Sequence, residues 1–444
     1  MRTILIKNAA IVNRGKITYG DIEIWRGRIE KIDNQIDIRA DVEIDAEGKF
    51  VIPGIIDDQV HFREPGLTHK ATIYTEAKAA VRGGVTSFME MPNTSPAALT
   101  QELLEQKYQI AAAHSLANYS FFMGASNENL DEVLRTNPQN VCGVKVFMGS
   151  STGNMLVDDT KILENLFSQC PMLIATHCED ETTVKSNYDW FYSKYGEDIK
   201  WAQHPLIRDE EACYLSSSKA VELAKKHNTR LHVLHISTAN ELHLFDNTLS
   251  LENKRITSEV CVHHLYFNSN DYARFGSQIK CNPAIKSEYN QKEIFKALLD
   301  NRLDIIATDH APHTWAEKQN KYPSAPSGVP LVQHSLQIML DFFHKGMISL
   351  ETIVEKMCHA PAVCFQLQDR GFIEEGYFAD LAIVNLTKPH KVHKDNLLYK
   401  CNWSPFEGET FKGDVETTIV SGHIAYDKGV FDENVKGKRL MFGR

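Results

Sequence analysis

His61 and Arg63, two residues apart, end an apolar run and open a segment broken by proline and glycine, His61-Phe62-Arg63-Glu64-Pro65-Gly66. On an extended strand, residues i and i+2 point the same way. Such a strand end presents a metal ligand and an anion clamp to one small molecule. Further along, His177, His235 and Asp309 each close an apolar run of strand length, and Lys145 lies within another. Three imidazoles and a carboxylate are the N and O donors that suit zinc or a similar divalent ion. Each histidine taken alone reads more readily as a satisfied or exposed side chain, and with 19 in the chain several are bystanders. His114, His204, His227, His344 and His359 fall in helical or loop stretches and are read that way, while His263 and His264 stand between a supporting and a purely structural role. Lys145 is a bystander by charge, because an ammonium repels a metal. It becomes a ligand only when neutralised and turned into an oxygen donor, as by carboxylation with CO2.

The elements that must position these residues are visible as apolar runs alternating with helical periods. Strands are expected over 52–61, 85–91, 119–124, 141–148, 172–177, 231–236, 256–262 and 303–308. Helices are expected over 73–82, 101–113, 130–135, 161–169, 212–226, 241–247 and 291–299. Eight strands alternating with helices over about 250 residues predict an α/β fold, a (β/α)8 TIM-type barrel. The alternative, an open doubly wound sheet, has no Gly-rich phosphate-binding turn to support it. In a closed barrel the C-terminal strand ends meet on one face, where active sites sit. Those ends carry His61 and Arg63, Asn93, Lys145, His177, His235 and Asp309. Residues 1–53 read as short alternating strands with turns, and β texture returns after residue 370. The expected organisation is therefore a barrel over 54–366 and a small β-sandwich domain built from 1–53 and 367–444. The Pro/Ser/Gly-rich stretch 321–330 reads equally as a lid or as a simple connection.

Composition narrows the function classes. With 444 residues, 43% hydrophobic and 24% charged, the chain is an ordinary globular protein of one large and one smaller domain. A net charge of −10, with no dense basic block, argues against nucleic acid as a partner. No apolar run is long enough to predict a membrane span, and no signal-peptide core appears at the start. Nine scattered cysteines without a C-x-x-C pair read as reduced thiols, and a cytoplasmic location is expected. The partner expected is a small-molecule substrate.

Seven motifs occur in order: His61-Phe-Arg63-Glu-Pro-Gly66, Met91-Pro-Asn93-Thr94, Lys145-Val-Phe-Met148, Thr176-His177-Cys-Glu179, Leu234-His235-Ile-Ser237, Cys281-Asn282-Pro283 and Thr308-Asp309-His-Ala-Pro-His313. Together, and over essentially the whole chain, they resemble the cyclic amidohydrolases, most closely the dihydroorotase family. The resemblance implies reversible cyclisation of N-carbamoyl-L-aspartate to L-dihydroorotate and water, in pyrimidine biosynthesis. It implies one or two zinc ions held by His61, Lys145, His177, His235 and Asp309, with Lys145 N-carboxylated and bridging. Asp309 is then also the catalytic proton shuttle. Arg63, Asn93 and His313 hold the substrate carboxylate, and Asn282 contacts the ring. A homo-oligomer, dimer or tetramer, is expected. One position departs from the family: Gln59 stands where the first strand usually carries the first histidine of His-x-His. An amide oxygen is a weaker zinc ligand than imidazole, so the metal on the His61 side should bind less tightly. The rival readings are a hydantoinase- or allantoinase-type amidohydrolase, and a catalytically weakened homologue acting as a scaffold.

Overall fold

The computed structural model describes residues 2–149 and 155–444. Gly54 separates its two layers of architecture. The strand expected over 52–61 is in fact two: Phe50–Pro53 joins the terminal sheet and Ile55–Val60 starts the barrel. A Cβ on Gly54 would fall 2.1 Å from the Thr86 hydroxyl, so only glycine lets the chain pass that close to the second barrel strand.

The barrel strands follow in parallel order: Ile55–Val60, Val85–Glu90, Asn118–Phe121 continued by Met123–Gly124, Val144–Phe147, Ile174–His177, Leu231–Val233, Ile256–Cys261 and Ile305–Ala307. Each pairs in parallel with the next. A parallel bridge from Val60 to His310 closes the ring, with the His61 amide donating to His310 O at 2.7 Å. The strands are buried on both faces, which is why they read as continuous apolar runs rather than alternating ones. Helix Ile73–Arg82 has the expected bounds, and the Thr72 side chain caps it by accepting from the Thr75 amide.

Two helical expectations change. Helix Glu181–Tyr195 follows the fifth strand, where none was expected. The helix expected over 241–247 is a single 3-10 turn, Leu242–Leu244. Asp246 ends it: its Oδ1 accepts from the Thr248 and Leu249 amides and diverts the chain into a turn.

Nine strands from both ends of the chain form one sheet. Its order is Val430–Phe431, His423–Asp427, Thr410–Val420, Leu381–Lys391, Phe50–Pro53, Ile4–Asn13, Lys16–Trp25 and Arg28–Asp33, with Val42–Asp45 beside Ile4–Asn13. The sheet folds over itself, so that the turn at Gly27 meets the turn at Ser421 and Gly422 and Ala379 N donates to Gly27 O at 3.0 Å. Its own core includes Ile6, Ile11, Ile22, Leu381 and Ile419. All nine cysteines are buried and unpaired. Among the described residues no helix is long and apolar enough to cross a membrane.

Candidate active site

The C-terminal ends of the barrel strands enclose a cavity of about 260 Å³. All nine residues singled out from the sequence line it: His61, Arg63, Asn93, Lys145, His177, His235, Asn282, Asp309 and His313. Gln59, Phe147, Ala311, Pro326, Ser327 and Gly328 complete the wall. His263 and His264 do not line it. They are buried on the short helix Val262–Tyr266, where the His264 Nε2 donates to Pro283 O at 3.1 Å.

Backbone geometry aims several of these side chains. Pairing of the first strand with the second is irregular between Asp57 and Val60, which turns residues 58 and 59 toward the barrel interior. Arg63, His235 and Asp309 have left-handed φ values of 68°, 40° and 47°. Such conformations cost about 1–3 kcal/mol each in non-glycine residues and persist where the surroundings over-determine them. Glu259 supplies one such constraint, its Oε1 accepting from the His235 amide at 3.1 Å.

The imidazoles are pre-set as neutral donors of electron pairs. Burial lowers the pKa of His61 and His177 and pushes that of His235 far below the usual range. The His177 Nε2–H donates to Glu179 Oε2 at 2.9 Å, and Arg208 holds that carboxylate at 2.6 Å. The lone pair of His177 Nδ1 therefore faces the cavity, 2.9 Å from His235 Nε2. On the other side, His61 Nδ1–H donates to Asn93 Oδ1 at 2.8 Å, leaving Nε2 to face Asp309 Oδ1 at 3.1 Å. A histidine whose outer N–H is fixed by a carboxylate or carbonyl is the arrangement that orients an imidazole toward a metal. The His235 Nδ1 is buried without a partner among the described residues. The donor set of His61, His177, His235 and Asp309 thus fits a divalent ion. Lys145 sits among them, and burial lowers its pKa to about 8. Gln59 donates from Nε2 to Asp309 Oδ1 at 3.2 Å, and its Oε1 accepts from the Cys261 thiol at 3.7 Å.

The opposite wall is cationic. Arg63 is buried, and burial lowers its pKa only to about 10, so it stays charged at neutral pH. Its Nε donates to Pro312 O at 3.1 Å, and its Nη2 lies 3.1 Å from His313 Nε2. Asn282 Oδ1 has no hydrogen-bond partner among the described residues. The stretch 326–328 covers this wall and is anchored from beneath. Lys318 Nζ donates to Pro326 O and Gly328 O at 3.0 and 2.9 Å, and Lys280 Nζ to Tyr322 O and Ala325 O at 2.8 and 2.6 Å.

Sequence reasoning did not assign Glu179, Glu259 or Lys70 any role. Glu179 was detectable, since it lies two residues beyond His177 in the same motif. Lys70 contacts His313 across 243 positions of sequence, which leaves no local signal.

Residues 50–425 match the amidohydrolase family. The chain belongs to that family, and it is an enzyme of the cyclic amidohydrolase class. It is 30% identical over 444 residues to the dihydroorotase of Methanosphaera stadtmanae, covering 98% of this chain and 99% of the relative. To the dihydroorotase of Methanothermobacter thermautotrophicus it is 32% identical over 422 residues, covering 94% and 90%. Among solved structures, the L-hydantoinase (dihydropyrimidinase) of Arthrobacter aurescens superposes with a TM-score of 0.93 at 27% identity, covering 99% of this chain and 100% of that one.

Proposed function

We propose that the chain is a metal-dependent dihydroorotase, interconverting N-carbamoyl-L-aspartate and L-dihydroorotate in pyrimidine biosynthesis. The observation that carries this reading is the buried, charged Arg63 on the wall facing the metal-type donor set, within one small cavity. A cyclic amide bearing a carboxylate satisfies both walls at once, whereas an uncharged ring leaves a buried guanidinium without a counter-ion. The names of the full-length relatives agree with it.

In this reading His61, His177, His235 and Asp309 hold a zinc-class ion, with Lys145 joining them as its N-carboxylate. The ion supplies Lewis acidity at the ring carbonyl and lowers the pKa of water toward about 7. Arg63 forks onto the substrate carboxylate, with Asn93 and His313 beside it, and fixes the ring's orientation. Asn282 meets the ring edge. Asp309 accepts the proton of the attacking water and delivers it to the departing ring nitrogen. In the cyclising direction the same carboxylate takes a proton from the ureido nitrogen. Glu179 and Asn93 keep the imidazoles from turning. We read 54–366 as the catalytic barrel and 1–53 with 367–444 as the accessory sheet, and we expect a cytoplasmic homo-oligomer.

The L-hydantoinase neighbour supports a second reading, ring opening of an uncharged hydantoin. Metal content and dihydroorotate hydrolysis measured on one sample test the proposal. Bound metal with turnover is expected, and Asp309→Asn should reduce kcat by at least about a thousandfold with the fold intact. A metal-free protein that stays inactive after zinc is restored would overturn it.

A further inference from the structure

Beneath the cavity, three side chains that can each offer a metal-ligand atom converge, those atoms all lying within 4.8 Å of one another. Asp58 is fully buried, and neither carboxylate oxygen has a hydrogen-bond partner among the described residues. The irregular pairing of the first strand turns it inward toward strands six and seven. His232 Nε2 lies 3.4 Å from Asp58 Oδ2 and 3.2 Å from Glu259 Oε2, and all three residues are completely enclosed. His232 Nδ1 is 2.8 Å from Thr257 Oγ1, whose own hydrogen is directed to Leu231 O at 3.3 Å. The hydroxyl therefore accepts from Nδ1–H, and Nε2 faces both carboxylates.

Two carboxylates enclosed side by side make a setting that a cation between them would stabilise. A divalent cation would cancel both carboxylates and give the Asp58 carboxylate the partner it lacks. The spacing agrees: bonds of about 2.0–2.1 Å arranged tetrahedrally put neighbouring ligand atoms about 3.3 Å apart. Thr257, holding the outer N–H of His232, completes the arrangement typical of a metal-bound imidazole. We propose that Asp58, His232 and Glu259 form a second, structural site for a zinc-class divalent cation in the barrel floor. Glu259 ties this site to the cavity above, because its other oxygen holds the His235 amide.

Metal content of three proteins purified without chelator tests this independently of the reaction. Asp58→Asn should contain one equivalent less than the wild-type protein. The double variant His177→Asn/His235→Asn should still retain one equivalent. Equal metal content in Asp58→Asn and wild type would overturn the proposal. Should Asp58→Asn fail to fold, anomalous diffraction from wild-type crystals at the zinc edge decides. A peak between Asp58, His232 and Glu259 supports the site, and its absence with metal present in the cavity removes it.

Discussion

Lys70 has only donors, so its 3.0 Å contact makes His313 Nδ1 an acceptor. The proton of the neutral ring then sits on Nε2, where Ser327 O accepts it at 3.0 Å. Burial holds His313 far below its usual pKa, consistent with that neutral form. Arg63 Nη2, 3.1 Å from the same Nε2, consequently faces another donor and stays available for a carboxylate. Lys70 is thus a positioning residue for the proposed carboxylate clamp. Replacing it in Lys70→Met should raise KM for dihydroorotate about tenfold, equivalent to about 1.4 kcal/mol, with kcat nearly unchanged. Lys70→Arg should recover part of the loss. An unchanged KM would separate Lys70 from substrate binding. Steady-state kinetics with a thermal-unfolding control reads both. Seven of the nine cavity residues were legible at strand ends, whereas Asn282 and His313 came only from the resemblance carried by their motifs. The partners that orient them were not, since Lys70, Glu259 and Ser327 reach the site through tertiary contacts.

At the scale of elements, apolar runs marked every barrel strand, because strands buried on both faces cannot be anything else over so short a length. Helix Glu181–Tyr195 was hidden because only Val184 and Phe191 of its 15 residues are buried, leaving no apolar stripe to recognise. The joint between barrel and sheet was equally hidden. Arg82, the last residue of helix Ile73–Arg82, donates to Asp414 in strand Thr410–Val420, with Nη2 at 2.9 and 3.0 Å from its two oxygens. Burial disfavours the charged Asp414, but His390 and Arg82 outweigh it and hold its carboxyl well below the usual range. A depressed folded-state pKa contributes stability above the unfolded value of about 3.9, and that stability disappears as pH falls through the folded value. Asp414→Asn should therefore cost about 3 kcal/mol at pH 7, and the gap to wild type should begin to narrow only as pH falls below about 4. Denaturant melts across pH measure this. A loss under about 1 kcal/mol would mean that the ion pair does not couple the two layers.

At the scale of the whole molecule, residues 438–442 tie back into the barrel. Tyr119, in the third barrel strand, bridges in parallel to Arg439; Tyr119 N donates to Lys438 O and Leu440 N to Tyr119 O, at 3.0 and 2.9 Å. The tail therefore fills the seam where strand Asn118–Phe121 has no hydrogen-bonded barrel neighbour on that side. Leu440 and Phe442 are fully buried in the barrel floor beside Phe122, Leu173 and Phe365. A return to β texture near the end of the chain was legible, but not this insertion, because so short a tail carries no periodicity. Phe442→Ala should cost about 3–5 kcal/mol, read as a lower denaturant midpoint, and a loss below about 1 kcal/mol would show the floor closed without the tail. The proposed function makes the cavity's selectivity the property to measure. It is tested most directly by kcat/KM for dihydroorotate, dihydrouracil and hydantoin on one metal-replete preparation. A preference for dihydroorotate of at least about a thousandfold is expected, largely removed in Arg63→Met. Comparable turnover of hydantoin or dihydrouracil by the wild-type protein would contradict it.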